Sequence, residues 1–248
     1  MSSQTSRPFW LSAFLDLPED AFSDAVTFWT AVTGFTMSPL RGESDQFGTL
    51  IPPAGDDYLR VQRTGSPARI HLDVHVPDPD AGAERATAFG AEELADPGLG
   101  YRTMRSPGGL VFCLVSHPCG ARPPARQWPG GHRSRVDQVA LDLPVEVHAV
   151  ESDFWATLLD AAAEPTDAEE FSVIDRRPEL PLRVLLHRLE EPTGTARAHL
   201  DLASDDRDAE VARHRGLGAE FVRRHEGWTV LRDPAGLLYC VTVRDPAQ

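Results

Sequence analysis

The sequence predicts a duplicated fold in which a strand, a helix and two or three further strands recur four times. The first observation is an internal repeat, since FLDLP, RIHLDV and SPGGLVFCLV of the first half return as ALDLP, RAHLDL and DPAGLLYCV in the second. The second is a nearly constant spacing of 126 to 128 residues between equivalent positions: Trp29 and Trp155, His71 and His199, Gly109 and Gly236. Because this period is far longer than the roughly 20 to 50 residues of solenoid units, it indicates two copies of one domain.

The first copy contains two halves with the same order of predicted strands and helices. WLSAFLDLP alternates as a strand does, and the next segment places apolar residues, Trp29 among them, near helical spacing before Gly34. The segments FGTLIPP and YLRVQRTG are strand-like. The second half begins with ARIHLDVHV, which we call the restart strand. A helix over AGAERATAF, which Asp80 is predicted to cap, and a strand in MRSPGGLVFCLVS follow it.

The second copy repeats this order. VDQVALDLP is its opening strand, ESDFWATLLDAAA its first helix from Glu151, LPLRVLLHRLE and ARAHLDLAS are strands, and DDRDAEVARHRGLG is its last helix. The stretch between the copies is rich in proline, glycine and arginine and has no period. We therefore predict one domain over residues 8–116, a linker over 117–134 and a second domain over 135–245.

Composition restricts the possible partners and location. The formal net charge of −14 argues against nucleic acid, because phosphate binding requires a basic surface. No stretch approaches the roughly 20 apolar residues of a membrane span, and the first residues lack a signal-peptide core, so we expect a cytoplasmic protein with no membrane partner. Cys113 and Cys240 occupy equivalent strand positions and are predicted to be small buried hydrophobic residues.

The restart strands carry the polar side chains of interest. Alternation places His71, Asp73 and His75 on one face of the first restart strand, and His199 and Asp201 on one face of the second. The opening strands add Ser12 and Phe14 in the first copy and Gln138 in the second. Such a face lines either a ligand-filled cleft or a set of hydrogen-bonded strands, and the sequence leaves both open.

These motifs, in order and in duplicate, resemble the vicinal oxygen chelate superfamily, which includes glyoxalase I, bleomycin resistance proteins and extradiol dioxygenases. More narrowly, the chain is similar to glyoxalase-like proteins with tandem domains. The resemblance implies an α+β fold of four βαβββ modules, forming two tandem glyoxalase-like domains with curved mixed sheets around clefts.

The resemblance also implies three metal-ligand positions in each catalytic copy. They lie in the opening strand, at the start of the restart strand, and two residues after the glycine of the last strand, where a glutamate is typical. In this sequence they are occupied by Ser12, His71 and Val111 in the first copy and by Gln138, His199 and Leu238 in the second. Valine and leucine cannot bind a cation, and a catalytic site needs about three protein ligands. We therefore expect no metal and no other cofactor.

The leading hypothesis is a metal-free protein of the glyoxalase and bleomycin-resistance type that binds a small organic molecule, such as a drug or metabolite, as a monomer or homodimer. The alternative is a lyase, isomerase or dioxygenase that uses His/Asp acid–base chemistry or a degenerate divalent-metal site at His199. The catalytic candidates are then His71, Asp73, His199 and Asp201. The predicted ligand-binding residues are Ser12, Phe14, His71, Asp73, His75, Val111, Gln138, His199, Asp201 and Leu238.

Overall fold

The computed structural model describes residues 7–174 and 179–248, and within them the chain forms four helices and seventeen strands. No helix in these ranges is long and apolar enough to cross a membrane. The helices are α1 (Phe22–Thr33), α2 (Pro79–Ala88), α3 (Val145–Leu159) and α4 (Arg207–Gly216).

The strands fall into two sheets, one for each copy. The strands of the first copy are β1 (Trp10–Pro18), β2 (Thr36–Met37), β3 (Phe47–Ile51), β4 (Leu59–Thr64), β5 (Arg69–His75), β6 (Glu92–Ala95), β7 (Arg102–Arg105) and β8 (Val111–Val115). Those that follow are β9 (Arg126–Gln127), β10 (Arg133–Leu143), β11 (Ala163–Pro165), β12 (Phe171–Ile174), β13 (Arg183–Arg188), β14 (Arg197–Ser204), β15 (Glu220–Arg224), β16 (Trp228–Arg232) and β17 (Leu238–Thr242).

The two sheets have the same strand order. The first runs β2-β3-β4-β1-β5-β8-β7-β6 and the second β11-β12-β13-β10-β14-β17-β16-β15. Each contains a parallel pair, β5 with β8 and β14 with β17, and the second strand of each pair is antiparallel to its other neighbour, β7 or β16. The predicted duplication and the α+β fold of four βαβββ modules are confirmed.

The chain divides into two compact units that both draw on both copies. Unit 1 comprises the described residues of 1–13, 71–120 and 139–198, and so contains α2 and α3. Unit 2 comprises 14–70, 121–138 and 199–248, with α1 and α4. Within the predicted linker, β9 pairs with β10, a strand pair that the aperiodic sequence did not indicate. The domain bounds 8–116 and 135–245 and the linker bounds 117–134 stay predictions.

Two helix starts differ from the predicted ones. The first residue of α2 is Pro79 and its cap is Asp78, whose Oδ1 accepts hydrogen bonds from the backbone N–H groups of Asp80 and Ala81. Asp80 is therefore a first-turn residue and not the cap, because proline is well placed as the first helical residue and an aspartate before it satisfies the free N–H groups. Helix α3 begins at Val145, six residues before the expected start.

The tryptophans Trp29 and Trp155 are fully buried core residues. In unit 1 the Trp155 ring lies 5.2 Å from that of Phe112, and in unit 2 the Trp29 ring lies 5.2 Å from that of Tyr239. Each indole N–H also has a buried partner, which packing patterns alone do not reveal.

The two indoles use carboxylates from different parts of the chain. Trp155 Nε1 donates to Glu151 on its own helix at 2.7 Å, and Glu151 also accepts from the backbone N–H of Gly108. Trp29 Nε1 donates at 2.8 Å to Asp233, which lies in the turn before β17. Burial raises the pKa of Glu151 and of Asp233, because the charged form of a carboxyl is less stable away from water.

A further buried carboxylate, Glu210 on α4, contacts four neighbours in unit 2. It contacts His132 and Ser134 at the start of β10, and Arg213 and His214 on its own helix. Burial alone would raise the pKa of Glu210, but the hydrogen bonds and charges of Arg213 and His214 outweigh burial and lower it far below its usual value. The network holds α4 against β10.

Candidate functional site

The structure brings the predicted His/Asp pairs together and adds a cysteine to each. His71, Asp73 and Cys113 form one cluster in unit 1, and its three possible ligand atoms lie within 4.8 Å of one another. His199, Asp201 and Cys240 form an equivalent cluster in unit 2 within the same distance. We call these the copy-one cluster and the copy-two cluster.

Parallel strand pairing places the cysteines. In β5 and β8, Asp73 is the register partner of Cys113, and in β14 and β17 Asp201 is the partner of Cys240. Directly paired residues project from the same sheet face, so each thiol stands beside the carboxylate of the neighbouring strand. The expectation of purely hydrophobic cysteines missed this role. Their equivalent positions in the two copies were the signal that could have found it.

The copy-two cluster has short separations between its polar atoms. His199 Nε2 lies 3.3 Å from Asp201 Oδ1 and 3.7 Å from Cys240 Sγ. The His199 side chain is 18% exposed and that of Asp201 4%, so the histidine is the group open to solvent. Among the described residues, Asp201 Oδ1 has no hydrogen-bond partner of good geometry, which leaves a buried carboxylate oxygen directed at the histidine.

A chain of polar contacts holds the other Asp201 oxygen in place. Gln138 donates its amide N–H to Asp201 Oδ2, and Arg244 donates to Gln138 Oε1 at 3.0 Å and to Asp137 at 2.6 Å. Burial alone would raise the pKa of Asp201, but the contact with His199, the charge of Arg244 and the hydrogen bond from Gln138 outweigh it and lower the pKa. Asp201 is therefore ionised at neutral pH. Gln138 is a positioning residue that acts through Asp201.

The copy-one cluster is more enclosed. His71 Nε2 lies 3.9 Å from Asp73 Oδ1, and the two side chains are 8% and 4% exposed. Ser12 does not join them. His75 Nδ1 lies 3.0 Å from the backbone carbonyl of His117, which can only accept a hydrogen bond, so Nδ1 is the donor. Nε2 of a neutral His75 then accepts a hydrogen bond from the hydroxyl of Ser12 at 2.8 Å. Ser12 and His75 are both fully buried.

The remaining predicted ligand-binding residues have different surroundings. Phe14 is 7% exposed and packs edge-on against Phe47, with the guanidinium of Arg60 5.8 Å from its ring centre. Val111 is half-buried on β8, and Leu238 is 45% exposed at the start of β17.

Two aromatic residues that the site prediction omitted flank the clusters. Burial raises the pKa of Tyr101, and the charges of Cys113 and Asp73 in the copy-one cluster raise it further. In copy two, Trp228 is the register partner of Thr242, two residues from Cys240 and on the same sheet face. The Trp228 ring stacks on that of His225 at 4.3 Å.

The ligand set that the resemblance implies does not form. Val111 and Leu238 offer no ligand atom, Ser12 is bonded to His75, and Gln138 is bonded to Asp201 and Arg244. The His/Asp/Cys sets do suit a cation. Tetrahedral zinc bound by nitrogen, oxygen and sulfur separates its ligands by about 3.3 to 3.6 Å, close to the 3.3 and 3.7 Å of the copy-two cluster. His199 and Asp201 lie two residues apart on one strand face, and their side chains approach each other closely enough to bind one ion.

The duplicated fold is that of the vicinal oxygen chelate superfamily. A family model described as a glyoxalase-like domain matches residues 12–115 and again residues 138–242. The chain belongs to this glyoxalase-like family and contains two tandem copies of its domain.

Solved structures share this fold at low sequence identity. A mutant 4-hydroxymandelate synthase from Streptomyces coelicolor is 19% identical with a TM-score of 0.64, over 98% of this chain and 94% of the other. An extradiol ring-cleaving dioxygenase from B. fuscum is 12% identical with a TM-score of 0.63, over 98% and 74%. The 2,3-dioxygenase LapB from Pseudomonas sp. KL28 is 12% identical with a TM-score of 0.61, over 98% and 93%. No curated protein matches the chain.

Proposed function

We propose that the chain is an enzyme that binds a small organic molecule at the copy-two cluster and converts it with a divalent metal held by His199, Asp201 and Cys240. The observation that carries this proposal is the spacing of the three ligand atoms, together with the partial exposure of His199. Three protein ligands with one open side are the usual composition of a catalytic zinc site.

The composition of the cluster favours a lyase or isomerase over a dioxygenase. Non-haem iron oxygenases use two histidines and one carboxylate, whereas this cluster contains one histidine, one carboxylate and one thiol. A thiolate ligand favours zinc over iron in such a site. The dioxygenase neighbours therefore support the fold, and the ligand set indicates the chemistry.

The chain's own residues would bind and orient the substrate. A bound divalent metal supplies Lewis-acid polarisation of a substrate oxygen. Gln138 and Arg244 hold Asp201 in one orientation and keep it ionised. Leu238 is exposed beside the cluster, and Trp228 lies on the same face, so they offer apolar surface for the organic part of the substrate.

Metal content tests the first half of the proposal. Protein purified without chelator is expected to carry zinc or a similar ion at the copy-two cluster, and His199→Ala is expected to lose it, because one of three ligands is removed. His148→Ala, a change at a half-buried histidine on α3, is the control and should keep the ion. Equal metal content in the two variants would contradict the proposal.

Turnover tests the second half. The wild-type protein and His199→Ala are incubated with a small-molecule metabolite extract, in air and under argon, and the compounds are followed by mass spectrometry. A lyase or isomerase should consume one compound equally in both atmospheres, and His199→Ala should not. Consumption only in air would indicate a dioxygenase, and a compound that is retained unchanged would indicate a binding protein.

Gln138 provides a further prediction. Gln138→Leu removes the hydrogen bond that orients Asp201, and losing such an outer contact lowers metal affinity by about 10- to 100-fold. Gln62→Leu on β4 is the matched control and should leave affinity unchanged. Titration of the metal-free protein with zinc measures both, and equal affinities would remove Gln138 from the site.

A second candidate function is metal-free binding of a small organic molecule. Val111 and Leu238 favour it, because both copies lack the glutamate that the resemblance implies. In that case His199 and Asp201 would orient the ligand by hydrogen bonds, and His199→Ala would weaken ligand binding with no change in metal content. The cytoplasmic location, the absence of nucleic-acid and membrane partners, and a monomer or homodimer stay predictions.

A further inference from the structure

The copy-one cluster repeats the ligand set of the copy-two cluster residue for residue. His71, Asp73 and Cys113 stand at the same strand positions as the copy-two residues, and the same parallel register joins Asp73 to Cys113. This set differs from the Ser12, His71 and Val111 positions that the resemblance indicates, with only the histidine in common. A cluster that recurs in both copies, at the same positions, is a built feature of the fold.

The ligand atoms of the copy-one cluster need only small side-chain movements to bind one ion. The ligand atoms lie within 4.8 Å of one another, and His71 Nε2 is 3.9 Å from Asp73 Oδ1. The ligands of tetrahedral zinc lie about 3.3 to 3.6 Å apart. Small rotations of the side chains on neighbouring strands would close the difference without moving the backbone.

The surroundings also favour a cation. His71 and Asp73 are nearly fully buried, where the attraction between a carboxylate and a cation is stronger than in water. Cys113 is half-buried, with its sulfur 3.9 Å from the hydroxyl of Thr103. Ser12, which could otherwise compete for the histidine, is bonded to His75.

We propose that the chain binds two divalent ions of the zinc class, one in each copy, and that Cys113 supplies a thiolate ligand to the copy-one ion. The copy-one site is the more enclosed of the two, since His71 is 8% exposed against 18% for His199. Its ion therefore stabilises the sheet and does not meet substrate. This inference goes beyond the proposed function, because it concerns a different cluster and has its own test.

Cobalt titration of metal-free, reduced protein tests the proposal, because a thiolate bound to cobalt gives a charge-transfer absorption that nitrogen and oxygen ligands do not. The wild-type chain is expected to bind about two ions per chain, as two three-ligand sites imply. Cys113→Ser is expected to lose about half of the absorption and to weaken one site by at least about 100-fold, the upper range for loss of an outer contact. Cys119→Ser, at the third cysteine, is the matched control and should match the wild type.

The melting temperature tests the copy-one site in a second way that does not depend on the cobalt spectrum. Zinc is expected to raise the melting temperature of Cys240→Ser through the remaining site, because an ion that binds only the folded state stabilises it. The double variant Cys113→Ser/Cys240→Ser should show no such rise. An unchanged cobalt spectrum in Cys113→Ser, or zinc stabilisation that persists in the double variant, would overturn the copy-one site. Loss of absorption in Cys113→Ser but not in Cys240→Ser would instead overturn the proposed function and leave the copy-one site intact.

Discussion

Replacing Glu151 with alanine is expected to destabilise the chain by about 3 kcal/mol, since each buried donor left without an acceptor costs about 1 to 3 kcal/mol. The donors to Glu151 include the indole N–H of Trp155 and the backbone N–H of Gly108, and the Ser106 side chain also hydrogen-bonds to it. Urea unfolding measures the effect. Asp153→Ala, an exposed change on the same helix, is the control and should stay within about 0.5 kcal/mol of the wild type.

Unit 2 shows how this loss can be repaired. The residues equivalent to Glu151 and Ser106 are Ala25 and Asp233, so there the carboxylate comes from the turn and not from the helix. Asp233 accepts from Trp29 and from the backbone N–H groups of Ala235 and Leu237.

Ser106→Asp should therefore restore stability in the Glu151→Ala background. The expected recovery is at least half of the loss, because an aspartate at this turn can accept the same backbone and indole donors. A double variant no more stable than Glu151→Ala alone would show that the two arrangements are not interchangeable.

The change of Gly108 to alanine is not expected to be tolerated in the wild type, because its Cβ would lie 2.5 Å from Glu151 Cγ.

Glu210→Gln is expected to cost about 3 to 5 kcal/mol, the usual effect of removing one partner from a buried ion pair. The amide keeps the shape of the side chain but turns N–H donors toward groups that also donate, chiefly Arg213. The control is Glu220→Gln, which breaks an exposed pair with Arg232 and should cost less than about 1 kcal/mol. Chemical denaturation at neutral pH compares the two.

The same variant has a predicted pH dependence. Because the pKa of Glu210 is lowered on folding, its contribution is fully present above its unfolded value of 4.5 and is lost as pH falls through the folded pKa. The stability difference between the wild type and Glu210→Gln should therefore shrink as pH falls below 4.5. A difference that stays constant down to pH 3 would assign the effect to packing.

Much of the fold was predictable because it depends on local patterns. Alternation along nine or fewer residues is enough to place His71 and Asp73 on one face, and a repeat is visible without any knowledge of contacts. The helix starts were less certain. Asp80 was the predicted cap of α2, and only the backbone conformation shows that Asp78 accepts the free N–H groups.

The sequence by itself determined the duplication, the four modules and the two His/Asp faces. The duplication is a repeat of the residues themselves, and the modules and faces follow from spacing along single strands and helices. Only the tertiary structure decided that Cys113 joins Asp73, that Ser12 is bonded to His75 and that Gln138 orients Asp201. These contacts join positions 40 to more than 60 residues apart, so they depend on which strands become neighbours. Strand neighbours are set by packing of the whole sheet, so the residue pattern along one strand does not predict them.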